Sequence, residues 1–159
     1  MYNVSMNIDD LQCGKAGEYL VCADLIIKGY VAYLSEQGLP YDVVMDYGGK
    51  LLKVQVKTTR GTRDVPQRKN PVRAYIFNIK RCGKRNTKIA DDSTCDYYAL
   101  VALDTMQIGY MLNKDVKKTM FFRADNFRGT YRDENINIET TGKYLSDMKL
   151  EDCLCQISK

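Results

Sequence analysis

Histidine is absent from all 159 residues, and that gap closes several routes to catalysis. Ser-His-Asp and Cys-His hydrolases need an imidazole to take the nucleophile's proton. Metalloproteases of the HExxH type need two imidazoles on one helix face to hold zinc. Nucleases with a histidine base fall on the same ground. Hydrolysis by this chain has to run on carboxylates, amides, lysines and a metal ion. Long apolar runs are missing too: none approaches the ~20 residues that span a bilayer. Met1 to Asp10 lacks the basic-then-apolar order of a signal peptide, so a cytoplasmic protein with no membrane partner is expected. Internal repeats and low-complexity stretches are also lacking. One domain over 1–159 follows, long enough to bury a core without staples.

The six cysteines would suggest disulfides in a secreted chain, but without a secretion signal reduced thiols are expected. Cys13 and Cys22 fall in a helical segment and read as small apolar packers. Cys153-x-Cys155 is too sparse for a zinc site alone, and joining it to Cys82 and Cys95 is a weak alternative.

Charge is present but unevenly spread. Of the 24 Lys and Arg, 13 lie between Lys50 and Lys88 with a single acid, Asp64, leaving 11 against 19 acids elsewhere. Such a tract in a chain of net charge +4 is either a solvated face or the footprint of a polyanion.

The tract begins inside a hairpin that can be derived from the sequence. Gly48-Gly49 supplies the positive φ that two-residue hairpin loops require. Setting the register from that turn opposes Tyr47 to Lys50, Asp46 to Leu51, Met45 to Leu52, Val44 to Lys53, Val43 to Val54 and Asp42 to Gln55. Alternation then puts Tyr41, Val43 and Met45 on one face with Leu52, Val54 and Val56. The other face carries Asp42, Asp46, Lys53, Gln55 and Lys57. A slip of one residue would exchange the two sets. Opposed Cβ atoms lie about 4.5–5.5 Å apart, so a carboxylate meets an amide oxygen, with an ammonium group two residues along. This is a place to hold a divalent metal beside a lysine.

Around the hairpin, Asp9 to Lys28 reads as a helix capped by Asp9 or Asp10, with Leu11, Tyr19, Leu20, Ala23, Ile26 and Ile27 as its apolar face and Gly29 just beyond its end. Strands are expected at Val31–Leu34, Arg73–Lys80, Asp96–Leu103 and Gln107–Leu112, the last two joined through Asp104-Thr105-Met106. Residues 60–72 read as an exposed basic loop, and 81–92 as a loop with a short helical turn. Asn113 is expected to cap a short helix through Lys118, and Ser146 a terminal helix from Asp147 to Cys155; 126–137 resists assignment. The order is that of an α+β (α/β) fold with a mixed central sheet.

Glu18, in the first helix beside Gly17, is a surface residue by default. Together, however, Gly14-Lys15-Ala16-Gly17-Glu18-Tyr19, Gly29-Tyr30, Tyr41-Asp42 and Gln55-Val56-Lys57-Thr58 resemble the PD-(D/E)xK nuclease superfamily. The likeness is to group I intron homing endonucleases that carry glutamine in the second motif, and archaeal Holliday-junction resolvases share the wider plan. It runs more loosely through 73–80 and 96–101. The resemblance implies a restriction-endonuclease-like αβββαβ core in which Glu18, Asp42, Gln55 and the main chain of Val56 hold Mg²⁺, with Mn²⁺ able to substitute. It also implies that Lys57 orients or activates the attacking water. Where most members have Asp or Glu this chain has Gln55, which costs the site one negative charge and weakens metal binding.

Arg60, Arg63, Arg68, Lys69, Arg73, Lys80, Arg81, Lys84 and Arg85 are the candidate DNA contacts. If about six neutralise phosphates, affinity falls by roughly three decades between low and near-physiological salt. Tyr75 and Phe77 could stack on bases, though at strand spacing they read as core. The function expected is Mg²⁺-dependent DNA endonuclease, as a homodimer or homotetramer because one site cuts one strand. The alternatives are a non-catalytic nucleic-acid-binding protein of the same fold, and a structure-specific nuclease of the junction-resolvase kind.

Overall fold

The computed structural model describes residues 8–65, 73–79, 94–125 and 143–157. Helix α1 spans Asp10–Ile27. The Asp9 carboxylate accepts from the Gln12 main-chain N–H at 2.7 Å, and the Gln12 side chain accepts from the Asp9 N–H at 3.0 Å. This reciprocal cap satisfies two of the donors that a helix start leaves unpaired. Beyond the helix, Gly29 takes φ +91°, a left-handed conformation that glycine adopts at no steric cost.

The face that α1 buries is not the expected one. Cys13, Gly17, Val21 and Leu25 point inward at a spacing of four. Leu11 and Ile27 are each 84% exposed, and Tyr19 and Ile26 are also outside. The helix is apolar around most of its circumference, and the small residues Cys13 and Gly17 let it lie close on the sheet where bulkier side chains would hold it off.

Strands β1 (Val31–Leu34), β2 (Val43–Tyr47) and β3 (Lys50–Thr59) follow. The β2–β3 register is the one derived above, from Tyr47 opposite Lys50 to Val43 opposite Val54. Gly48 and Gly49 take φ +62° and +86°, and the Asp46 carboxylate accepts from the Gly49 N–H at 2.8 Å. At the far end the ladder breaks. Asp42 donates its N–H to the Val54 carbonyl at 2.9 Å, and Tyr41 turns to the face opposite the expected one. There its ring lies 5.6 Å from Lys53 Nζ.

Two further differences concern short elements. The loop expected at 60–72 contains a two-residue strand, β4 (Arg63–Asp64), paired with β5 (Arg73–Asn78). After β6 (Tyr97–Ala102) and β7 (Gln107–Leu112), the expected helix at 113–118 is one 3₁₀ turn, Asn113–Asp115, leading into β8 (Thr119–Phe122). The Asn113 side chain donates to the Cys95 carbonyl at 2.9 Å, tying the turn to the sheet rather than opening a helix.

The terminal helix α2 runs Leu150–Ile157, later than expected. Leu145–Asp147 forms a 3₁₀ turn instead, and the Met148 carbonyl after it accepts from the Tyr110 N–H at 2.8 Å, so β7 ties down the segment ahead of the helix. Ser146 spends its hydroxyl on Asp125 at 2.7 Å rather than on a helix cap.

The main sheet has the order β1-β2-β3-β6-β7. Its β3–β6 pair is parallel and the others are antiparallel, so the α+β class with a mixed sheet holds. The sequence α1-β1-β2-β3 with β6 parallel to β3 is the expected frame. Residues 80–93, in the connection where its second helix would fall, lie outside the described residues. Helices α1 and α2 cover one sheet face, packing Val21, Leu25, Leu150 and Leu154 on Leu52, Val54, Tyr97 and Ala99. The smaller sheet β4-β5-β8 covers part of the other face, with Tyr75, Phe77 and Phe122 against Tyr98, Leu100 and Ala102. Every residue of β6 is buried, as expected of a strand covered on both faces. No helix among the described residues is long and apolar enough to cross a membrane.

Candidate active site

Asp42 precedes β2 and Gln55 lies within β3, and the hairpin brings them together. Gln55 donates its side-chain N–H to Asp42 Oδ2. The Val56 main-chain N–H donates to the same oxygen at 2.8 Å. Two donors on one carboxylate oxygen fix its orientation. Lys57 lies two residues further along β3 and shares the Gln55 face, as the β3–β6 ladder shows by pairing Gln55 with Tyr98 and Lys57 with Leu100.

Glu18 comes from α1, whose approach to β3 is set by Gly17. A Cβ at Gly17 would fall 1.9 Å from Thr58 Oγ1, so only glycine fits there. Glu18 follows Gly17 directly, with its side chain 21% exposed, and its charge reaches Asp42.

The electrostatics report this convergence. The Asp42 carboxyl is pushed above the usual carboxylate range, first by burial. The Val56 N–H opposes that by favouring the anion, Glu18 raises the value further, and Lys57 and Lys15 pull it down. Two acids and two lysines thus share one electrostatic neighbourhood.

Lys15 was not singled out from the sequence, although it stands three residues before Glu18, the spacing at which helical side chains meet. Its Nζ lies 2.7 Å from Glu18 Oε2 and 5.8 Å from the Tyr19 ring centre. The Lys15 ammonium is held above its ordinary range chiefly by the hydrogen bond to Glu18.

Glu18, Asp42 and Gln55 together offer two carboxylates and one amide oxygen. These are hard donors of the kind Mg²⁺ takes while keeping several waters. A cation held there would favour the Asp42 anion, which burial first and Glu18 after it disfavour. Gln55 has to turn its amide about the terminal bond to present Oε1, since its N–H now faces Asp42. Val56 engages Asp42 through its N–H. Among the described residues no three His, Cys, Asp or Glu side chains gather as a metal-binding group, so a cation would depend on the Gln55 amide.

Of the expected DNA contacts, three fall within the described residues, and all three are exposed. Arg60 pairs with Asp10 at 2.9 Å and donates to the Ile8 carbonyl at 2.8 Å, bracing the start of α1. Arg63 donates to the Ile76 carbonyl at 3.0 Å and Arg73 to the Thr62 carbonyl at 2.9 Å, tying β4 to β5. Arg68, Lys69, Lys80, Arg81, Lys84 and Arg85 lie outside the described residues. Tyr75 and Phe77 are core residues, each 1% exposed, and stack on nothing external. Cys95 and Cys153 are buried in separate cores and Cys155 is exposed, so these three cannot ligate one zinc ion.

No family model matches the chain, and no curated protein matches it. Among solved structures it is similar to the bacterial homing endonuclease I-Ssp6803I, with a TM-score of 0.58 over 80% of this chain and 87% of that one. Sequence identity is 16%, so the likeness is one of fold.

Proposed function

We propose that this chain is a Mg²⁺-dependent DNA endonuclease that hydrolyses phosphodiester bonds, homing-endonuclease-like in its chemistry. The observation that carries the reading is the convergence of Asp42, Gln55 and Lys57 on one hairpin face, with Glu18 in electrostatic reach. The fold shared with a solved homing endonuclease supports it, as does the basic tract that starts in β3.

In this reading Glu18, Asp42 and Gln55 hold the ion, with the Val56 main chain as a further candidate ligand. Mg²⁺ would supply Lewis-acid polarisation of a phosphoryl oxygen and a readier source of hydroxide. The remaining work belongs to the protein. The Val56 N–H fixes the Asp42 carboxylate. Lys57 orients the attacking water and places positive charge where the phosphate gains negative charge. Lysines and arginines of the basic tract bind the DNA backbone, and a homodimer or homotetramer presents one site to each strand.

A specific observation keeps a second reading in view. Gln55 faces Asp42 with its donor rather than its acceptor, an arrangement a non-catalytic DNA-binding protein of this fold could retain. Supercoiled plasmid with Mg²⁺, run beside a DNA-binding titration, separates the two. The endonuclease reading expects nicking that a chelator stops and that Asp42→Ala or Lys57→Ala lowers by at least about 100-fold. Salt-sensitive binding without nicking supports the second reading. Four-way junctions and structured RNA in the same assay identify a structure-specific nuclease.

A further inference from the structure

Lys15 stands among the acids of this site and has no part in the scheme above. Its Nζ holds Glu18 Oε2 at 2.7 Å, with the Lys15 side chain 43% exposed and that of Glu18 21% exposed. Its charge also acts on Asp42. The local balance is thus two carboxylates, Glu18 and Asp42, against two ammonium groups, Lys15 and Lys57. A divalent cation entering beside Glu18 meets an oxygen already committed to Lys15.

We infer that Lys15 is a positioning residue that holds Glu18 within the site before metal arrives and competes with the metal for that carboxylate. The inference rests on the endonuclease reading and deepens it. Three observations favour this role over a plain surface ion pair. Glu18 follows Gly17, whose close approach to Thr58 fixes where α1 lies on β3, and its charge reaches Asp42. Lys15 reaches the second acid as well as the first. Gln55 contributes no charge, so Glu18 has more to supply to a cation than it would beside a third carboxylate.

The consequence has an unusual sign. Removing a residue that merely braces the site would weaken metal binding. Removing a competitor strengthens it, because the free carboxylate no longer has to leave a partner and one positive charge is gone.

Mn²⁺ binding to the whole chain without DNA, followed by the paramagnetic resonance signal of the free ion, reads this directly. Wild type, Lys15→Ala, Lys15→Arg and Asp42→Asn are compared, with circular dichroism to check folding. Lys15→Ala is expected to bind Mn²⁺ about threefold tighter or more, on the scale of an exposed ion pair plus the charge removed. Lys15→Arg is expected to stay near wild type, and Asp42→Asn to lose most binding. Unchanged or weaker binding in Lys15→Ala, with Asp42→Asn defective, overturns the role of Lys15 and leaves the metal site standing. Equal binding by wild type and Asp42→Asn, or none by any variant, overturns the endonuclease reading and this inference together.

Discussion

Gly17 on α1 and Thr58 on β3 occupy each other's space. An added Cβ at Gly17 would lie 1.9 Å from Thr58 Oγ1 and 3.0 Å from both Thr58 Cβ and Cγ2. The Thr58 hydroxyl is itself buried, without a hydrogen-bond partner among the described residues. A helix pressed this tightly onto a strand fixes where its next residue, Glu18, stands, and the charge of Glu18 reaches Asp42.

Gly17→Ala should therefore lower stability by about 1–3 kcal/mol, the usual cost of overpacking. It should also reduce nicking measured well below its melting temperature, because α1 has to back away and take Glu18 with it. Thr58→Ala removes an unpaired buried hydroxyl and should leave stability unchanged or raise it by up to about 1 kcal/mol. Adding Thr58→Ala to Gly17→Ala should restore part of the loss. Urea unfolding of the four proteins checks both signs, and a fully stable, fully active Gly17→Ala would contradict the close approach.

Gln55→Glu should make stability depend on metal. The substitution replaces the N–H that Gln55 gives to Asp42 with a second carboxylate facing the first. Without metal the protein should lose about 1–3 kcal/mol, the cost of replacing a donor on a half-buried carboxylate by a like charge. With Mg²⁺ or Mn²⁺ it should recover, because three carboxylates bind a hard cation more strongly than two. Thermal melts in chelator and in metal read the difference, and an equal shift in both would count against a cation site.

The raised Asp42 carboxyl fixes the sign of a pH effect. In the folded protein this group binds its proton more tightly than in the unfolded chain, whose value is near 3.8. Its contribution is therefore most favourable below that value and declines as pH rises through the raised folded value. At neutral pH the ionised form is a net cost that Asn does not incur. Asp42→Asn should melt higher than wild type at neutral pH without metal, and the gap should close on acidification. A variant that melts lower at neutral pH would show that the Val56 and Gln55 hydrogen bonds outweigh burial.

The cysteines predict a labelling order. Burial pushes the Cys153 thiol up to about 12, and burial likewise raises Cys13 and Cys95. Thiolate is the reactive form, so among the cysteines of the described residues an alkylating reagent at neutral pH should modify exposed Cys155 first. Mass spectrometry after brief exposure should leave Cys13, Cys95 and Cys153 unmodified until the protein is unfolded.

Much of this arrangement was legible because it depends on short-range geometry. Gly48-Gly49 set the hairpin, and period-two alternation then placed Asp42, Gln55 and Lys57 without knowledge of the rest of the chain. Where packing decides, the reading failed. On α1 Leu11, Tyr19, Ile26 and Ile27 point outward, because the buried stripe is chosen by how closely Cys13 and Gly17 can approach β3. Tyr41 lies on the other face because the ladder ends one residue before Asp42, which strict alternation does not foresee. Strand β8 has four residues and exists only because β5 and the second core receive it. Lys15 was visible at three residues from Glu18, but such a pair becomes informative only once Asp42 is known to be near.

The measurement that tests the central claim most directly is anomalous scattering from a crystal soaked in Mn²⁺. The account predicts a peak contacted by the carboxylates of Asp42 and Glu18, with the Gln55 amide turned to present its oxygen and Lys15 displaced from Glu18. A soaked crystal with no peak between those carboxylates, and with Lys15 still holding Glu18, would contradict it.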